Sequence, residues 1–160
     1  MKNFLNAIRS AEDPIPLNKK IINTVRILFI GIVLGTFSKF LDTIPTNELP
    51  FIFEFSDIRN FFGRFAIWLL IALCISIYSN SSIRASINVF VFFMGMVTSY
   101  YLYSKFVAGF FPRSYAMIWG AFTVISPILA FICWYATGKS KLAFVLSVMI
   151  LAVLFNITFV

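Results

Sequence analysis

The chain contains no histidine. That removes the commonest general base and the commonest metal ligand. It has two cysteines, Cys74 and Cys133, too far apart for a CxxC pair. Both lie in apolar runs, where a thiol packs as a small hydrophobe and stays inert. Only six side chains are acidic, and none lies in the middle of an apolar run. Proton-coupled and ion-coupled transporters place an ionisable group there, so coupled transport is disfavoured. A serine hydrolase inside the membrane would lack its His or mid-membrane Asp partner. No GxGxxG, Walker, zincin or lipidation motif is present. No catalytic residue, metal site or cofactor is expected, and the chain does not read as an enzyme.

What is abundant is apolar surface. Of 160 residues, 61% are hydrophobic and 12% charged, against about 45–50% and about 25% in soluble domains. Mean hydropathy is +0.94. A soluble protein this small must cover most of its surface with polar atoms, and six acidic with thirteen basic side chains cannot do so. A soluble globule, a disordered chain and a disulfide-rich scaffold are excluded. An integral membrane protein of one domain remains. The net charge of +7 then speaks for orientation and for contact with anionic lipid rather than for nucleic acid.

The pattern predicts an all-α, polytopic transmembrane helical bundle of about five spans. Residues 1–18 form a cytoplasmic or interfacial segment and 19–160 the bundle. The first twenty residues lack the apolar stretch and cleavage site of a signal peptide. Phe4, Leu5 and Ile8 share one face of a short helix that suits a membrane surface. Asn18 is the expected N-cap of the first span, 19–41. Its uncharged part, 27–38, covers about 18 Å, and Arg26 and Lys39 snorkel outward to extend it. A loop over 42–60 holds four of the acidic residues and the apolar piece PFIFEF, a half-helix or a lid, and Ser56 or Asp57 caps the next span.

The remaining spans are expected at 61–79, 85–104, 114–138 and 142–160, joined by short connections that favour antiparallel neighbours. Pro127 should free a carbonyl inside the fourth. Asn88 and Asn156 suit hydrogen bonds between helices. Tyr115 and Trp134 stand about 28 Å apart along the fourth span, a spacing that suits two interfacial aromatic belts. Lys and Arg are more numerous on the side of the N-terminus, which places it in the cytoplasm of a cell-membrane protein. A fifth helix running to Val160 leaves its last carbonyls uncapped: either the C-terminus lies just outside or the chain is part of a longer protein.

Two constellations bear on function. Gly31 and Gly35 form GxxxG in the first span, and Gly95 and Ser99 a small-xxx-small pair in the third. Such spacing lets backbones approach closely, within the chain or against a partner. The second lies at the outer helix ends. Lys39, Asp42, Arg64, Trp68, Arg113, Tyr115 and Trp119, near Asp57, Arg59, Tyr100, Tyr101, Tyr103 and Lys105, bring both signs of charge and stacking rings to one level. That mixture suits a small-molecule recess and equally an interfacial belt of aromatics and anchoring cations. Lys39 and Asp42, three residues apart on one helix, are placed to pair.

The stretches LGTFSKFLDTIP and SYYLYSKFVAGFFPRSYAMIW, with the small size, resemble a family of uncharacterised multi-pass bacterial membrane proteins. More remotely, the plan is similar to the substrate-capturing subunits of energy-coupling-factor vitamin transporters. That resemblance implies substrate bound near the outer face, under a loop after the first helix. It also implies a docking role for Gly31 and Gly35. Those subunits usually have six helices, against five counted here, and no vitamin-binding motif is present. The function expected first is capture or passage of a small solute. The alternative is a non-transporting structural or regulatory protein that packs against a partner complex or a second copy.

Overall fold

The computed structural model describes residues 2–11, 15–45 and 58–159. Among these lie seven helices: α1 (Lys2–Ile8), α2 (Leu17–Thr43), α3 (Ile58–Gly63), α4 (Phe65–Ile77), α5 (Ser82–Phe106), α6 (Arg113–Tyr135) and α7 (Lys141–Phe159). Four of them, α2, α5, α6 and α7, are long and apolar enough to cross a membrane. The protein is an all-α, multi-pass membrane bundle. The expected half-helix or lid in PFIFEF and the cap at Ser56 or Asp57 fall outside the described residues.

The span expected over 61–79 is interrupted. Arg64 adopts an extended backbone (φ −80°, ψ 133°) and separates α3 from α4. The apolar helix that follows has 13 residues, about 20 Å, short of the roughly 30 Å of a bilayer core. The carbonyl of Phe62 at the end of α3 is satisfied across the break, accepting from Trp68 Nε1 at 2.9 Å. Asn18 also differs from expectation. Helix α2 starts at Leu17 with Pro16 as N-cap, so Asn18 lies in the first turn.

Helix α5 is the hub, packed against α2, α4 and α6. Its buried residues Ala85, Val89, Phe92, Phe93 and Met96 recur at helical spacing. With Trp68, Ala72 and Ala130 most of them form the central core. The most extensive pairing is α2 with α5, and it is parallel: Gly31 lies against Phe92, and Gly35 against Met96. Without a hydrophobic drive between helices in lipid, close packing has to hold such a pair. A Cβ on Gly31 would collide with the Phe92 carbonyl oxygen, and one on Gly35 with that of Met96. A Cβ on Gly95 would lie 2.8 Å from the Leu28 carbonyl oxygen, and Ser99 Oγ donates to the Ile32 carbonyl at 3.1 Å. All four small residues thus face the other helix of this one pair.

Helix α6 carries Pro127, which cannot donate to the Thr123 carbonyl. Ser126 Oγ donates to that oxygen instead, at 2.8 Å. Serines of the neighbouring helices add bonds to the same stretch: Ser86 Oγ to the Pro127 carbonyl at 2.8 Å and Ser76 Oγ to the Ala130 carbonyl at 2.7 Å. Backbone irregularity at membrane depth is tolerated when hydroxyls satisfy it in this way.

The end of the bundle where α2 and α5 begin, here the proximal end, is closed by α1. Ile8 and Leu5 pack with Trp134, Tyr135 and Ala143. Arg9 lies over the Trp134 ring at 4.1 Å and donates to the carbonyls of Trp134 and Ile77 at 2.8 and 3.2 Å. A cation suits this place, because unpaired carbonyls gather at helix C-termini. Trp134 is 1% exposed and its Nε1 donates to the Ser79 carbonyl at 2.6 Å. It is a core residue rather than the belt residue its spacing from Tyr115 suggests. Asn88 is buried in a hydrogen-bonded cluster with Thr24, Ser79 and Arg84. Asn156 is exposed on α7, and Cys74 also faces outward.

Candidate functional site

A recess of about 600 Å³ lies at the opposite, distal end of the bundle. It exists because α4 starts late. The Phe65 ring, on the first residue of α4, packs against Trp119 and Phe122, which also hold Phe93. From Phe93, α5 runs on for more than three turns to Phe106, roughly 20 Å at 1.5 Å per residue. Over that height α2, α5 and α6 stand with no part of α4 between them. The buried ring of Trp68, which belongs to the central core with Phe92 and Phe93, lines the recess. Phe62 and Gly63, on the far side of the Arg64 break, supply part of the wall.

One corner is polar. Lys39 Nζ lies 3.7 Å from Asp42 Oδ2, and Tyr100 Oη donates to the same oxygen at 2.8 Å. The ammonium also sits 5.2 Å from the centre of the Tyr100 ring. Neutralisation and a charge-assisted hydrogen bond let these charges stay in a half-buried place. Ser38, one residue before Lys39, is 4% exposed. Ser38 lines the recess, and its hydroxyl makes no hydrogen bond among the described residues. A buried polar group without a partner is costly, and in a recess that cost falls when a ligand supplies the missing bond. The other walls are Trp119, Tyr115, Tyr101, Phe65 and Met96.

The turn between α5 and α6 sets the opposite rim. Gly109 reverses the chain at φ 68°, a conformation that favours glycine. Ser104, fully buried, donates to the Phe110 carbonyl at 2.5 Å and accepts from the Phe110 amide at 3.0 Å. Those two bonds hold Phe110 at the recess wall.

Of the seven residues expected at a distal site, five line the recess: Lys39, Asp42, Trp68, Tyr115 and Trp119. Arg64 and Arg113 do not; both are exposed, although their neighbours Gly63, Phe65 and Pro112 do line it. Asp57 and the Arg59 side chain lie outside the described residues. Ser38, Phe62, Phe65 and Met96 are lining residues that the sequence did not single out. Ser38 had one signal available, since Ser38 and Asp42 are four apart on α2 and share a face. Among the described residues, no three Cys, Asp or Glu side chains gather as a metal site needs. The arrangement can enclose a body with flat or apolar faces and orient one polar end at the Lys39–Asp42–Tyr100 corner.

No protein-family model, no curated protein and no solved structure matches this chain.

Proposed function

We propose that the protein captures a small solute in the distal recess, with that end facing out of the cell and the N-terminus in the cytoplasm. The observation that carries this reading is a recess of about 600 Å³ with aromatic walls, a polar corner and an unpartnered buried hydroxyl. An ordinary belt of interfacial aromatics has no reason to enclose space. The solute class that suits it has an apolar or aromatic body and a polar, hydrogen-bonding end. The orientation is supported by the excess of basic residues at the proximal end, where Arg9, Lys19, Lys20, Arg26, Arg84, Lys139 and Lys141 lie. The rival reading, a protein that only packs against a partner, has less to stand on. Gly31 and Gly35, the residues suited to docking, are buried against α5.

The test is extraction. Protein purified in mild detergent is extracted with organic solvent, and the released small molecules are read by mass spectrometry. The wild type is expected to carry a species that Asp42→Asn and Trp119→Ala lose by about tenfold or more. Asp42→Asn should leave thermal stability nearly unchanged, since partly exposed ion pairs contribute about 0–1 kcal/mol. Identical extracts from all three proteins would put the partner-packing reading in front.

A further inference from the structure

A second recess, of about 240 Å³, lies at the proximal end and belongs to none of the machinery above. It sits where α2 begins and the turn from α4 to α5 passes, and it is lined by Lys20 and Arg26 of α2, Arg84 of α5, and Asn23, Asn80 and Tyr78. Three cations therefore share one small space. Among the described residues none of the three is paired with a carboxylate.

Arg84 is fixed in place. Its Nη2 donates to the Lys20 carbonyl at 2.8 Å, to Thr24 Oγ1 at 2.7 Å and to Asn88 Oδ1 at 3.3 Å. All three bonds leave from one nitrogen, so Nη1 and Nε remain as spare donors on a guanidinium that cannot lose its charge. Lys20 and Arg26 make no side-chain hydrogen bond among the described residues and add two further positive charges. Like charges held together in a partly desolvated place need an anion to offset them.

The recess does not end in protein. Ile27 and Ile75 line it, and the same two residues begin an apolar groove of about 280 Å³ that continues between α2 and α4 past Ile71, Cys74, Leu70 and Ile30. A cationic recess at a helix end thus adjoins an apolar track between α2 and α4. Tyr78, 84% exposed, lines the cationic recess as an interfacial aromatic does. A free phosphate would use only the first half of this surface. A phospholipid uses both, with its phosphate among the cations and one acyl chain along the groove.

We propose that these two surfaces form a single binding site for one anionic phospholipid. Arg84 gives the phosphate a fixed fork of donors, Lys20 and Arg26 supply the charge that prefers an anionic to a zwitterionic headgroup, and the groove selects a diacyl lipid over a soluble anion.

The test uses the full chain in a neutral detergent, with dioleoylphosphatidylglycerol, dioleoylphosphatidylcholine, a short-chain soluble phosphatidylglycerol and inorganic phosphate as probes. Retained lipid is counted by native mass spectrometry, and the thermal midpoint is read in parallel. One phosphatidylglycerol is expected to remain bound and raise the midpoint, with phosphatidylcholine retained at least about tenfold less. Lys20→Gln/Arg26→Gln should lose about tenfold or more of that retention while keeping the fold, because neither side chain makes a hydrogen bond among the described residues. Cys74→Phe should block the groove and lower retention of the dioleoyl lipid without changing the weak response to phosphate. Equal retention of the two dioleoyl lipids overturns the proposal. Phosphate alone stabilising as much as phosphatidylglycerol overturns the lipid assignment in favour of a soluble anion. Unchanged retention in the double variant overturns the assignment to Lys20 and Arg26.

Discussion

Gly35→Leu is expected to prevent the bundle from assembling. A Cβ at this position already meets the Met96 carbonyl, and Ser99 Oγ is within 2.5 Å. Neither the backbone atom nor the small serine has anywhere to go, because Ser99 is itself bonded to the Ile32 carbonyl of the facing helix. A leucine must therefore push α2 and α5 apart along the most extensive interface in the protein. Overpacking in a rigid core costs about 1–3 kcal/mol and sometimes more. Here the separation also removes the contacts of Gly31 and Gly95, so the upper end of that range or beyond is expected. The measurements are the yield of monodisperse protein in mild detergent and its thermal midpoint. Gly35→Ala should fall between leucine and wild type. Gly63→Ala and Gly120→Ala, where a Cβ meets nothing within 4 Å, should be close to neutral. A normal yield and midpoint for Gly35→Leu would show that the two helices do not pack through this face.

Trp134→Ala is expected to have an effect of comparable size. Trp134 is among the largest fully buried side chains, and truncating such a residue costs about 3–5 kcal/mol. The change removes more than volume. The Ser79 carbonyl loses its indole donor, and Arg9 loses the ring beneath its guanidinium. Trp134→Phe separates these parts. It keeps a ring under Arg9 and loses the N–H, so a loss of about 1–3 kcal/mol is expected from the carbonyl left behind. Limited proteolysis in the N-terminal segment should then rise in the alanine variant more than in the phenylalanine variant. Equal proteolysis in both would mean that α1 is not held through this ring.

The long spans were legible because run length and charge placement are properties of the sequence itself. Helices α5, α6 and α7 needed only apolar stretches with short polar joints. The region 61–79 misled because Arg64 sits near one end, where an anchoring cation is ordinary. Nothing local announces that the backbone turns extended there and that Trp68 reaches back to the Phe62 carbonyl. The small residues were visible as two separate pairs on two helices. That they form one parallel interface depends on α2 and α5 meeting across an intervening helix, which no periodicity encodes. Asn88 and Asn156 look alike as lone amides in apolar runs, but among the described residues only Asn88 is hydrogen-bonded to other side chains, because α5 is the hub while Asn156 is exposed on α7.

The distal site shows the same division. Chain position gives the level of a residue along the bundle axis, and this was enough to gather Lys39, Asp42, Trp68, Tyr115 and Trp119. It does not give rotation about each helix axis. Arg64 and Arg113 share the level but face outward, while Pro112 and Phe65 beside them face the recess. Ser38 and Met96 passed unnoticed because each looks like ordinary span content until the space beside it is known to be empty.

The shortness of α4 also bears on the membrane around the protein. Leu70 is half exposed and Cys74 faces outward, so lipid touches a helix roughly 20 Å tall beside taller neighbours. Acyl chains cannot match both heights. They shorten or tilt on the α4 flank, at a cost of fractions of a kcal/mol for each ångström of mismatch. Summed over the flank, this favours thinner bilayers. The protein should concentrate where acyl chains are short, and thickening the bilayer should load the weak point at Arg64 first.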